Sequence, residues 1–191
     1  MSDLGRRAYF TPSCAQLPVT AYFDQAVHQR EIDLLFKQGP GYVGHQLMVP
    51  ESGDYFTLPA ERDGRMLVHN ANGIECLSNV CRHRQAIMFK GKGNAQNIVC
   101  PLHRWTYDLK GELLGAPHFD EQPCVRLSQT PLQNWQGLLF EGPRDVARDL
   151  AALGVRGHFD FSGHLLDHVE VHECQYNWKT FIEVYLEDYH V

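Results

Sequence analysis

The hydrophobic pattern of this chain changes character several times along its length. Residues 1–18 show no period and carry Pro12 and Pro18. Phe23, Val27, Leu34 and Leu35 then fall near one helical face. They predict a core-packing helix over about 21–37, capped by Thr20 and stopped by Gly39-Pro40. From about 41 to 142 the pattern shortens to β-rich runs at 42–49, 55–58, 66–69, 74–77, 97–100, 105–108 and 138–141. Asp63-Gly64, Asn72-Gly73 and Lys110-Gly111 suit tight hairpins in which glycine takes positive φ. An all-β module is expected here. No internal repeat is apparent.

The pattern then turns helical again at 145–153, with Val146, Leu150 and Leu153 inward and Gly154 as the stop. At 165–174, Val169 and Val171 alternate with Glu170 and His172, which predicts a strand. His164, His168 and His172 recur every four residues. On a strand that step spans roughly 13 Å, too far for a shared metal. The final stretch, 177–191, divides as a helix. Trp178, Ile182, Tyr185 and Tyr189 make an apolar face, and Glu183, Glu187 and His190 a polar one.

Composition narrows the class. Apolar residues make up 43%, enough for a packed core in a chain of 191 residues. A net charge of −6 and a pI near 6.0 leave no nucleic-acid or anionic-membrane footprint. No apolar run approaches the roughly 20 residues of a membrane span, and the N-terminus lacks a signal-peptide core. These features predict a cytoplasmic protein. Cys14, Cys76, Cys124 and Cys174 are widely spaced, as free thiols in a reducing compartment would be.

The candidate chemistry lies between Cys81 and His103. One knuckle reads Cys81-Arg-His83 and the other Cys100-Pro-Leu-His103. A zinc module usually groups its cysteines in a single knuckle. Here each knuckle is mixed, one thiolate and one imidazole. A Rieske [2Fe–2S] centre needs that set, because one of its irons takes two cysteines and the other two histidines. A zinc site is the bland alternative.

The flanking residues resemble the Rieske ring-hydroxylating oxygenases. That family carries C-x-H-R followed by C-P-x-H-x-W-x-Y-D-x-x-G. This chain reads Cys81-Arg82-His83-Arg84 and Cys100-Pro-Leu-His103-Arg-Trp105-Thr-Tyr107-Asp108-Leu-Lys-Gly111. Respiratory Rieske proteins add a cysteine to each loop and join the loops by a disulfide; Cys76 and Cys124 do not sit at those places. Near the end, Asn177-Trp178-Lys179, Glu183 and Glu187-Asp-Tyr-His190 are similar to the family's N-W-K, E-N and acid-x-x-His sequence. Val184 departs from the usual Asn. Glu187 replaces the usual Asp, as in the carnitine-oxygenase-like branch.

The resemblance implies an α+β architecture. An N-terminal helical segment at 1–40 would pack on the catalytic domain. An all-β Rieske domain would occupy 41–158, and 159–191 would begin the catalytic domain. Cys81, His83, Cys100 and His103 would hold the [2Fe–2S] cluster, with Arg82, Arg84 and Trp105 around it. His190 would be one ligand of a mononuclear non-haem Fe(II), and Glu187 a carboxylate bridging the two centres for electron transfer. The remaining iron ligands of the family would lie beyond residue 191, so this stretch alone is expected to be incomplete as an oxygenase. The implied parent is an NAD(P)H-driven, O₂-dependent mono- or dioxygenase α subunit, acting on a small organic substrate. It would take electrons from a reductase or ferredoxin and assemble as a homotrimer. A stand-alone Rieske-type ferredoxin is the alternative.

Overall fold

The computed structural model describes residues 17–154 and 159–186. These fall into two compact units. One is the unit Phe36–His172; the other joins the N-terminal segment, up to Leu35, with the stretch from Glu173 onward.

Phe36–His172 holds all the strands of the described residues, every pair of them antiparallel, in three sheets. The central five-stranded sheet is built from β2 (Asp54–Thr57), β3 (Arg65–Asn70), β4 (Gly73–Ser78), β5 (Lys92–Asn94) and β9 (Gln129–Thr130), in the order β5-β2-β3-β4-β9. A second sheet has the order β1-β11-β10, from β1 (Gly41–His45), β10 (Gln133–Trp135) and β11 (Leu138–Glu141). The third, β6-β7-β8, comprises β6 (Ile98–Val99), β7 (Thr106–Tyr107) and β8 (Leu113–Gly115).

The apolar run Met66-Leu67-Val68 explains the layering. Side chains alternate faces along a strand, and β3 is buried on both. Met66 and Val68 enter one core with Leu77, Ile98, Trp105, Tyr107 and Leu127. Leu67 enters the other with Val49, Phe56, Cys76 and Leu139. The central sheet therefore has an apolar core on each side, which is why β3 reads as a continuous run. Cys81 and Cys100 belong to the first core. Arg65 on β3 ties the central sheet to the second one, reaching Glu141 of β11 at 2.5 Å and Glu61 at 2.5 Å.

Several expected elements shift. The helix expected over 21–37 is a short 3₁₀ turn, then α1 (Gln25–Glu31), then a π-helical turn at Ile32–Phe36. Its cap is Asp24 and not Thr20, because the Asp24 carboxylate accepts from the N–H groups of Ala26 (2.7 Å) and Val27 (3.1 Å). Phe23, Leu34 and Leu35 fall outside α1 and are exposed, so the expected apolar face does not form. The expected glycine conformations hold at Gly73 (φ 107°) and Gly111 (φ 83°). At the Asp63-Gly64 turn, Arg62 (φ 53°) and Asp63 (φ 60°) carry the positive φ instead, a conformation aspartate tolerates better than most.

The helix expected over 145–153 contracts to α2 (Val146–Asp149), capped by Asp145; Val146 is buried but Leu153 is exposed. The strand expected at 165–174 does not form. Val169 and Val171 are exposed, and no neighbouring strand pairs with them among the described residues. The last helix is α3 (Trp178–Leu186), within the second unit. Ile182 and Tyr185, expected inward, are exposed, and the buried residue is Lys179. Glu187 and His190 lie outside the described residues, as do Cys14 and Tyr189.

Candidate metal centre

Two hairpin loops build the site, and they share one backbone frame. In the first, the Cys81 N–H donates to Ala86 O (2.9 Å), and the Gln85 N–H donates back to Cys81 O (3.0 Å). In the second, the Cys100 N–H donates to Trp105 O (2.8 Å), and the Arg104 N–H to Cys100 O (3.1 Å). The residues flanking each loop also pair alike, Val80 with Ile87 and Val99 with Thr106. Gln85 (φ 55°) and Arg104 (φ 60°) take left-handed backbone at matching places. The cysteines therefore occupy equivalent positions, while the histidines differ by one residue. Two copies of one hairpin face each other. The sequence shows this poorly, because only the cysteines fall at equivalent positions in the two loops.

The donors converge in like pairs. Cys81 and Cys100 are both buried in the same core, and Cys81 is among the neighbours that raise the Cys100 thiol. The rings of His83 and His103 lie edge to face, 4.7 Å between centroids. Burial pushes the Cys100 thiol up, against the backbone N–H groups of Leu102 and His103, which favour the thiolate. Burial, then the neighbouring His103 and Arg84, hold His83 below the usual histidine range. His83 is thus poised as a neutral imidazole, the form that ligates metal. Its Nδ1 is buried with no hydrogen-bond partner. Such an atom is costly unless something binds it. A metal centre taking two thiolates and two neutral imidazoles fits this donor set.

The residues around the donors divide by role. Trp105 stacks on His83 at 4.9 Å and 7°, and Phe119 closes on both rings edge-on. Arg84 acts on His83 by charge, whereas Arg82 contributes its backbone N–H, which donates to Tyr107 Oη at 3.0 Å. Two residues were not singled out from the sequence. Tyr107 is fully buried, with its hydroxyl 3.5 Å from Cys81 Sγ. Asn79 is also fully buried; it spans to Asp63 O and Phe89 O (both 2.8 Å) and accepts from Phe89 N–H (2.9 Å), fixing the entry to the first loop. The signal for Tyr107 was its place in the Cys100–Gly111 motif, two residues after Trp105; Asn79 left none.

Residues 40–131 match the family of Rieske [2Fe-2S] domains. This chain carries a Rieske [2Fe–2S] domain. A putrescine 2-hydroxylase of Ralstonia nicotianae is 73% identical over 191 residues, which is 100% of this chain and 52% of that protein. A putrescine 2-hydroxylase of Bordetella bronchiseptica is 58% identical, over 100% of this chain and 48% of its own length. The biphenyl 2,3-dioxygenase α subunit of Rhodococcus jostii is 31% identical, over 88% and 41%. The solved structure of the quaternary ammonium Rieske monooxygenase CntA superposes with a TM-score of 0.74 at 23% identity, covering 91% of this chain and 52% of that one. These relatives are Rieske oxygenases and not the small ferredoxins of the alternative reading. The Rieske chain spans about half the length of the curated relatives it matches. Among its described residues no helix is long and apolar enough to cross a membrane.

Proposed function

We propose that this chain is the electron-entry portion of an O₂-dependent oxygenase that hydroxylates a small aliphatic diamine, putrescine by kinship with its relatives. The observation that carries the electron-transfer part is the pairing of donors, thiol beside thiol and imidazole beside imidazole, on two matched hairpins. Cys81 and Cys100 would hold one iron of the cluster, and His83 and His103 the other. When bound, such a cluster supplies one electron at a time, at a potential raised by its neutral ligands. The chain's own residues do the rest. Trp105 and Phe119 shield the His83 ring from water, Tyr107 directs its hydroxyl at Cys81, and the Leu102 and His103 amides offset part of the burial that disfavours a Cys100 thiolate.

The domain reading assigns 41–158 to the Rieske domain and 159–191 to the start of a catalytic domain on which 1–40 packs. The contacts of Tyr22 and Glu31 with Asn177, Trp178 and Lys179 support that pairing of the two ends. His190 would be a ligand of a mononuclear Fe(II). Glu187 would bridge it to His103 of a neighbouring copy within a homotrimer, because a ligating histidine commonly donates its free N–H to a carboxylate. A reductase or ferredoxin in the cytoplasm would supply the electrons.

The test is a holoenzyme that joins this chain to the remainder of the Ralstonia relative. Putrescine should trigger oxidation of the reduced cluster under O₂, with a hydroxyl appearing at C2 of the product. Cluster oxidation that responds to an aromatic hydrocarbon or a quaternary amine instead would overturn the substrate assignment.

A further inference from the structure

The Asn177-Trp178-Lys179 sequence has no part in the cluster site, yet all three of its side chains bond to Tyr22 or Glu31. Lys179 is 7% exposed, an unusual place for a lysine. Its ammonium lies 2.5 Å from Glu31 Oε1, and the Trp178 indole N–H donates to Glu31 Oε2 at 3.0 Å. Each carboxylate oxygen of Glu31 therefore has its own donor on α3, and the Glu31 side chain is itself only 13% exposed. The surroundings complete a socket. The Lys179 ammonium sits over the rings of Trp178 (5.2 Å) and Tyr22 (5.6 Å). Tyr22 donates its hydroxyl to Glu183, one turn further along α3, and Asn177 Nδ2 donates to Tyr22 O at 3.0 Å. His28 is the other titratable group facing the carboxylate, 3.8 Å away.

We propose that Glu31 is a positioning residue: its carboxylate, gripped by Trp178 and Lys179, fixes the rotation of α3, the helix that leads in sequence to Glu187 and His190. Two donors from adjacent residues on one carboxylate define an angle about the helix axis, which a single ion pair would not. Removing one partner of a buried charged pair leaves the other uncompensated, so the grip is all or nothing. The proposal rests on the roles given above to Glu187 and His190.

The grip itself is read in the 191-residue chain, from the indole N–H resonance of Trp178, identified by its loss in Trp178→Phe. Bonds from Lys179 first and Trp178 second hold the Glu31 carboxyl below the usual glutamate range. With a depressed folded value, the grip is present above the ordinary glutamate range and lost as pH falls through the lower folded value. The Trp178 resonance should titrate there. Glu31→Gln should abolish that titration and raise amide exchange along α3 about tenfold, while Glu31→Asp keeps a titration. An unchanged resonance and unchanged exchange in Glu31→Gln overturn the proposal.

Its consequence is read in the holoenzyme defined above, as substrate-triggered oxidation of the cluster. Glu31→Gln should slow it about tenfold with the cluster EPR signal unchanged, and Glu31→Asp should recover part of the rate. If Glu187→Gln slows oxidation and Glu31→Gln does not, the positioning role alone fails. If neither has an effect, the bridging role of Glu187 fails and this proposal with it.

Discussion

Replacing Tyr107 by Phe removes one oxygen atom from the shell of the cluster and should lower the cluster's reduction potential. The Tyr107 hydroxyl is 3.5 Å from Cys81 Sγ, and its oxygen accepts the Arg82 N–H at 3.0 Å. Burial, then the contact with Cys81, raise the Tyr107 pKa far above the usual tyrosine range. The phenol therefore keeps its proton and is the donor toward a Cys81 thiolate. Reduction would make the whole cluster more negative, so a donor to one of its thiolate ligands would stabilise the reduced state more than the oxidised one. A neutral hydrogen bond is worth about 1 kcal/mol net. If that is the difference between the two states, it converts to about 40 mV, since a tenfold change in a one-electron equilibrium is 59 mV. Tyr107→Phe should thus lower the potential by about 40 mV while the cluster still assembles. An EPR-monitored redox titration of the 191-residue chain measures this. An unchanged or raised potential, with the cluster intact, would show that the hydroxyl acts only on Arg82 and that the Cys81 contact carries no weight.

Three other outcomes follow from the same structure. Asn79→Ala should destabilise the Rieske domain by about 2–4 kcal/mol, because it leaves Asp63 O, Phe89 O and Phe89 N–H without partners. Urea unfolding would show this as an earlier midpoint, and a midpoint equal to wild type would remove Asn79 from the account. Burial pushes the Cys76 thiol up to about 11, so alkylation near pH 8 should label the exposed Cys124 and Cys174 and spare Cys76 until the protein unfolds. Mass mapping that finds Cys76 labelled at the rate of Cys124 would contradict the packing of the second core. Trp105→Leu should admit water to the His83 ring that Trp105 now covers at 4.9 Å. Cluster loss on mild acidification should then begin at higher pH than in wild type, and identical acid stability would make the stack irrelevant.

The donor set was legible in the sequence because ligand chemistry fixes residue type as well as spacing. The strands around Met66–Val68 and Leu138–Leu139 were legible because both bury apolar side chains. The polar strand Lys92–Asn94 was not, for its pairing with Asp54–Phe56 is set by neighbours and not by its own pattern. The matched frames of the two hairpins were hidden because they reside in backbone bonds, to which only the cysteines are common. At 165–174 an alternating pattern existed without a neighbouring strand among the described residues, and alternation by itself makes no ladder. Lys179 shows the reverse. Nothing local marks it for burial; the partner that makes it tolerable, Glu31, lies 148 residues away in sequence.

The assignment of Cys81, His83, Cys100 and His103 to one Rieske cluster is open to a direct measurement. Pulsed EPR on the reduced chain, grown with ¹⁵N-histidine, tests it most directly. The expected signal has a low average g and is coupled to two histidine nitrogens, with one coupling lost or altered in His83→Cys and the other in His103→Cys. A cluster signal without histidine coupling, or a chain that binds zinc and no acid-labile sulfide, would contradict it.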